Sequence, residues 1–101
     1  MKVGLVGRGR WAGNIRHTLE TFDGVEVVLL GGREPAQAGL EVAIVTTPSS
    51  THAEVAQRYL AAGVKRLFIE KPLATSLDDA LALGAAAERA GARVFVGHLH
   101  L

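Results

Sequence analysis

The sequence predicts an α/β fold: a doubly wound parallel sheet of about five strands, shortened between the second and third strands. Three observations point there. Short apolar runs of strand length alternate with stretches of helical periodicity along the whole chain. The first run ends in a group of glycines, Gly7, Gly9 and Gly13. The interval from the second run to the third, residues 31–41, is close to the minimum for a parallel crossover, so it is expected to be irregular or to hold a single helical turn.

Residues 2–6 form the first expected strand. Ile15, Leu19 and Phe22 follow at helical spacing before Asp23 and Gly24 turn the chain. Residues 25–30 are apolar on both faces, as in strands covered by helices on either side, and Gly31, Gly32 and Pro35 end that run. Residues 42–46 form a third strand ending in the loop Thr47, Pro48, Ser49, Ser50. Thr51 with Glu54 has the spacing of a capping box, Val55, Tyr59 and Leu60 supply an apolar helix face, and Gly63 stops the helix. A fourth strand over residues 67–69 leads to Glu70, Lys71 and Pro72. Ser76 and Asp79 cap a further helix that carries Leu77, Leu81 and Leu83 on to Ala90 and closes at Gly91. Residues 93–96 make the last strand, before the tail Gly97, His98, Leu99, His100, Leu101.

The 101 residues suit a single domain, and 49% hydrophobic with 21% charged residues is a globular composition. A net charge of +1 argues against a general nucleic-acid binder, so an anion site has to be local. The absence of cysteine excludes disulfides, thiolate catalysis and zinc-thiolate centres. No stretch has the apolar length of a membrane span, and the first residues lack the pattern of a signal peptide, so a cytoplasmic protein is expected.

Gly7-Arg8-Gly9-Arg10-Trp11-Ala12 fits G-x-G-x-x-G/A between a strand and a helix. Gly7 permits the tight turn, Gly9 lets the backbone approach a pyrophosphate, and Ala12 lets helix and strand pack closely. The free amides of the helix start then face the phosphates, so the fold is expected to be Rossmann-like with a dinucleotide as its ligand. Arg8 and Arg10 either add positive charge to this site or lie on the surface, and Trp11 either covers the cofactor or packs on neighbouring loops. The tip of the second strand has Leu30, Gly31 and Gly32 where an acidic residue would select NAD, and Arg33 follows. Arg33 suits a 2′-phosphate, which favours NADP, while the adjacent Glu34 keeps NAD open.

Four motifs in order resemble the Gfo/Idh/MocA oxidoreductases over almost the whole chain. They are the glycine loop, the stretch from Ala43 through Thr46, Thr47, Pro48, Ser49 and Thr51 to His52, the segment Glu70-Lys71-Pro72-Leu73-Ala74, and Val96-Gly97-His98. The resemblance implies hydride transfer between a nicotinamide cofactor and a sugar-like or cyclitol-like alcohol or carbonyl. It implies cofactor contacts from Thr46, Thr47, Pro48, Ser49 and His52. It places Lys71 beside the nicotinamide as a residue for substrate binding or proton transfer, with Glu70 orienting its neighbours. Pro72 resembles a proline that is often cis in the family and would aim Lys71 into the site.

The same resemblance defines what is expected to be missing. Family members continue after Gly97-His98 into a second domain that supplies most of the substrate pocket, so residues 1–101 are read as one cofactor domain without its substrate domain. The helix and short strand usual after the second strand are also lacking, which would leave that strand at a sheet edge open to another chain. A homo-oligomer, or a partner chain covering this edge and the tail, is therefore expected. His98 and His100 alone make no metal site. The alternative readings are a non-enzymatic nucleotide-binding or oligomerisation module, and another nucleotide-binding Rossmann domain in which Glu70-Lys71-Pro72 has no purpose.

Overall fold

Strict alternation of side chains builds both faces of the sheet. The computed structural model describes residues 1–7, 10–71 and 73–97, and of Arg10 and Trp11 only the backbone. Arg8, Gly9, Pro72 and residues 98–101, which carry part of the expected cofactor loop, the proline after Lys71 and both tail histidines, lie outside the described residues. Strands β1 (Lys2–Val6), β2 (Glu26–Leu30), β3 (Val42–Val45), β4 (Arg66–Glu70) and β5 (Arg93–Gly97) are joined by helices α1 (Arg10–Leu19), α2 (His52–Ala61) and α3 (Leu77–Ala90). All strand pairs are parallel, in the order β2-β1-β3-β4-β5. The expected doubly wound α/β sheet of five strands is therefore observed.

Val3 and Leu5 of β1 and Val42 and Ile44 of β3 point to one face, where Ala12 and Ile15 of α1 cover them. Ala43 and Val45 of β3 and Leu67 and Ile69 of β4 point to the other, under Val55, Tyr59 and Leu60 of α2 and Leu83 and Ala87 of α3. The central strand β3 is buried at every position because helices flank it on both sides. Each buried valine or isoleucine side chain there contributes about 1.5–3 kcal/mol, and Ala43 less.

The edge strand β2 differs from its expected double burial. Glu26 is exposed and Leu29 is 48% exposed, because only one neighbour pairs with β2 and no helix follows it. The link to β3 is irregular, as its length predicts. Ala36 and Leu40 from this link pack into the α2 and α3 cluster, so the chain crosses that face without a helix.

Three local readings are corrected. Phe22 lies beyond the end of α1 in a turn, its amide donating to the Leu19 carbonyl, and is 57% exposed. The capping box at Thr51 does not form, because a short 3-10 turn at Ser49–Thr51 precedes α2 and puts Thr51 in helical conformation. Its hydroxyl donates to the Pro48 carbonyl at 2.6 Å instead. Leu77 and Leu81 of α3 face outward, leaving Leu83 and Ala87 as that helix's buried contacts.

The helix stops behave as expected. After α2, Gly63 has φ +93°, its amide donates to the Leu60 carbonyl, and the Val64 amide donates to the Tyr59 carbonyl, the paired bonds of a Schellman motif. The Ser76 hydroxyl accepts from the Asp79 amide at 3.1 Å, and Gly91 closes α3 at φ +66°.

Tyr59 is fully buried and its hydroxyl has no hydrogen-bond partner. Burial pushes its pKa above the usual 10.0, the Arg58 charge opposes this, and the Glu34 charge adds to it. The folded state thus favours the protonated phenol, so this contribution to stability is complete below pH 10.0 and is lost as pH rises through the raised value. Tyr59→Phe keeps the ring and removes the orphan, which costs about 1–3 kcal/mol when buried. The variant is expected to match or exceed the parent's stability near pH 7 and to lose less of it above about pH 10. Urea melts at the two pH values check both.

Candidate functional site

In a sheet of order β2-β1-β3-β4-β5 the chain direction of winding reverses between β1 and β3, and a crevice opens there at the carboxyl ends of the strands. Gly7 leaves β1 at φ +132°, a conformation natural to glycine alone, and its amide donates to the Leu30 carbonyl at 2.8 Å. That bond ties the end of β1 to the end of β2. On the β3 side, the Thr46 amide and hydroxyl both donate to the Val6 carbonyl, at 2.8 and 3.0 Å. The two loops are thereby held against each other.

A cavity of about 790 Å³ lies over this crevice. Its floor is Gly7 with Gly31 and Gly32, its mouth carries Arg33 and Glu34, and its far wall is Thr47, Pro48 and Thr51 with Glu54, Val55 and Arg58 of α2. A second cleft of about 350 Å³ shares Gly7 and Gly31 and runs past Ala12, Gly13 and Arg16 of α1. Together they border the start of α1, whose first turn contains no acidic residue to neutralise the helix dipole. An apolar-floored crevice of this size with polar groups converging on it suits a nucleotide.

The loop after β3 owes its shape to a buried imidazole. His52 is 1% exposed, and its Nε2 lies 2.7 Å from the Thr47 carbonyl, which fixes the proton on Nε2 because a carbonyl only accepts. The Thr51 hydroxyl also bonds the Thr47 hydroxyl at 2.8 Å. Gly32 completes the wall, since a Cβ there would stand 2.7 Å from the Thr47 methyl group.

Of the residues singled out in the sequence, Gly7, Arg33, Thr47 and Pro48 come together around the larger cavity and Ala12 borders the smaller one. Thr46 acts on the Val6 carbonyl, and Ser49 is half-buried in the turn before α2. His52 sits behind the loop and lines neither cavity. Glu70 and Lys71 lie at the end of β4, where the Lys71 amide donates to the Gly97 carbonyl at 3.3 Å, on the same rim of the sheet but outside both cavities. Arg8, Gly9 and Pro72 are outside the described residues, as are the side chains of Arg10 and Trp11.

Sequence reasoning missed Arg58. Its Nη1 donates to the Glu34 carbonyl at 2.8 Å and its Nη2 to the Gly32 carbonyl. The readable signal was its spacing: Thr51, Glu54 and Arg58 fall three and four residues apart on one side of α2. Among the described residues there is no helix long and apolar enough to cross a membrane, and no group of three His, Cys, Asp or Glu side chains able to hold a metal.

Comparison with known proteins agrees with this geometry. Residues 33–98 match the family model of the Gfo/Idh/MocA group, described as an oxidoreductase family with an NAD-binding Rossmann fold. A 1-carboxy-3-chloro-3,4-dihydroxycyclohexa-1,5-diene dehydrogenase from Comamonas testosteroni is 43% identical over 61 residues, 60% of this chain and 15% of that protein. The myo-inositol dehydrogenase Hyg17 from Streptomyces leeuwenhoekii is 32% identical over 96% of this chain and 36% of its own length. That alignment runs over 119 positions, more than the chain's 101 residues, so the relative holds residues that this chain lacks within the matched stretch. Among solved structures, the WlbA dehydrogenase from Bordetella pertussis, in complex with NADH and UDP-GlcNAcA, superposes with a TM-score of 0.80 at 27% identity, over 95% of this chain and 34% of that one. The chain thus spans well under half the length of the relatives it matches. With its parallel sheet, its switch-point crevice and a family match over residues 33–98, the chain belongs to the Gfo/Idh/MocA oxidoreductase family as an NAD(P)-binding Rossmann domain.

Proposed function

We propose that residues 1–101 form one cofactor-binding unit that holds NADP(H) in the crevice between β1 and β3, in an oxidoreductase acting on a sugar-like or cyclitol-like alcohol or carbonyl. The observation that carries this reading is the single cavity lined by both Gly7 and Arg33. A bound nicotinamide would give or take hydride. Gly7 and the start of α1 would receive the pyrophosphate, and Thr47 and Pro48 would lie along the dinucleotide. Lys71, at the end of β4 on the same rim, is the candidate to bind substrate or move a proton, and Glu70 would orient it. The identity of the substrate class follows the relatives, two of which are named for cyclitol or cyclohexadiene-diol oxidation.

The NADP preference rests on Arg33 and on the lack of an acid at the β2 tip; NAD is the alternative, because Glu34 borders the same cavity. Arg33→Ala is expected to weaken NADPH about tenfold, the ~1.4 kcal/mol of one charge-assisted contact, while NADH changes less than twofold. Cofactor-fluorescence titration with both nucleotides measures this. Equal losses for both would remove the preference, and no binding of either by the parent chain at about 1 mM would remove the reading itself.

A second reading, a nucleotide-binding module that also assembles with a copy of itself or another chain, is favoured by the outward-facing Leu77 and Leu81 and by the open edge of β2. It predicts oligomers in light scattering and cofactor binding without turnover. A strict monomer would count against it.

A further inference from the structure

The turn at the tip of β2 has no helix behind it in this chain. Residues 31–41 run from β2 to β3 without regular structure, and the far half is anchored by Leu40, buried against Gly4, and by Ala36. The near half, residues 31–34, is anchored differently. One bond closes the turn itself, the Glu34 amide donating to the Gly31 carbonyl at 3.1 Å. Thr47 presses on Gly32 from one side. The Arg58 guanidinium spans two carbonyls of the same turn, those of Gly32 and Glu34.

A planar fork on two acceptors two residues apart fixes the path of the backbone between them, and the residue between them is Arg33. Arg58 is itself half-buried, with its Nε shielded from solvent and without a hydrogen-bond partner. The guanidinium reaches the turn from α2, and both of its Nη atoms donate to that turn. A lysine in its place would present a single point charge and could not reproduce the spacing.

We propose that Arg58 is a positioning residue that sets discrimination at the ribose 2′ position, by holding the turn that presents Arg33 to a 2′-phosphate. This rests on the cofactor reading given above and deepens it. In this chain the β2–β3 link is short and has no helix, and a side chain from α2 supports the turn.

The test compares 2′,5′-ADP, which carries the 2′-phosphate, with 5′-AMP, which does not. Calorimetric titration of both probes is made on the parent chain, R33A, R58A, R58K and R33A/R58A, with a thermal melt of each. In the parent, 2′,5′-ADP is expected to bind more tightly than 5′-AMP. R58A is expected to narrow that affinity ratio about tenfold, R33A to narrow it by a similar factor, and the double variant to narrow it no further than R33A alone. R58K keeps the stem and the charge, so it serves where R58A fails to fold, and it is expected to narrow the ratio at least threefold. A ratio within twofold of the parent in both R58A and R58K, or losses that add in the double variant, would overturn the proposal while leaving the cofactor site intact. A parent chain that binds neither probe would instead remove the site on which the proposal rests.

Discussion

Gly7→Ala is expected to cost more than ~30-fold in dinucleotide affinity and roughly 1–3 kcal/mol of stability. Two separate reasons converge on this residue. At φ +132° an L side chain is strained whatever space surrounds it, and here there is none: a Cβ would overlap the Thr46 hydroxyl and approach the Thr46 carbonyl carbon to 3.1 Å. Relief requires the end of β1 to move away from the end of β3, which breaks the two hydrogen bonds that the Thr46 amide and hydroxyl donate to the Val6 carbonyl and widens the crevice floor. The double variant Gly7→Ala with Thr46→Ala separates the two reasons. Removing the hydroxyl relieves the overlap with the side chain but not the backbone strain, so it is expected to recover part of the stability and little of the binding. Denaturant melts and NADPH titration on the same samples provide both readings.

His52→Ala is expected to lower stability by about 2–4 kcal/mol, through the space left by a buried ring and a Thr47 carbonyl deprived of its donor. For a chain of this size that is a fall of roughly 10–20 °C in Tm. Cofactor affinity is expected to fall as well, because Thr47 and Pro48 form one wall of the cavity and the ring positions them from behind. His52→Phe keeps much of the volume and loses only the bond. It is expected to recover most of the stability but not the affinity. An alanine variant that bound NADPH as tightly as the parent would show that the loop holds its shape without the imidazole.

The strand and helix order could be read from the sequence because each element obeys its own period. The double burial of β3 follows from four consecutive apolar residues, and the glycine stops after α2 and α3 carry the positive φ that their positions require. What escaped was decided by neighbours that pattern cannot show. Residues 25–30 look buried on both faces, yet Glu26 and Leu29 are exposed; the edge position of β2 was expected from the family resemblance, and nothing in those six residues states it. Thr51 and Glu54 have capping-box spacing, yet Thr51 turns its hydroxyl back to Pro48 and Thr47. The site divides in the same way. That Gly7, Arg33, Thr47 and Pro48 would come together was legible: Gly7 from the turn it permits, Arg33 from its charge beyond a strand end, and Thr47 and Pro48 from the family resemblance. His52 was legible as a position but not as a role: its ring acts on its own loop. Arg58 was legible only as a position on the same side of α2 as Thr51 and Glu54; its role was not, because its partners are backbone carbonyls more than twenty residues away, and a carbonyl leaves no trace in a sequence.

The crevice between β1 and β3 is the place proposed above for a dinucleotide. Amide chemical-shift mapping of the isotope-labelled 101-residue chain during titration with NADPH tests it most directly. Saturable shifts are expected at Gly7, Gly31, Gly32, Thr47 and Thr51, with α3 unaffected. The absence of saturable shifts up to about 1 mM, or shifts confined to residues outside the two clefts, would contradict it.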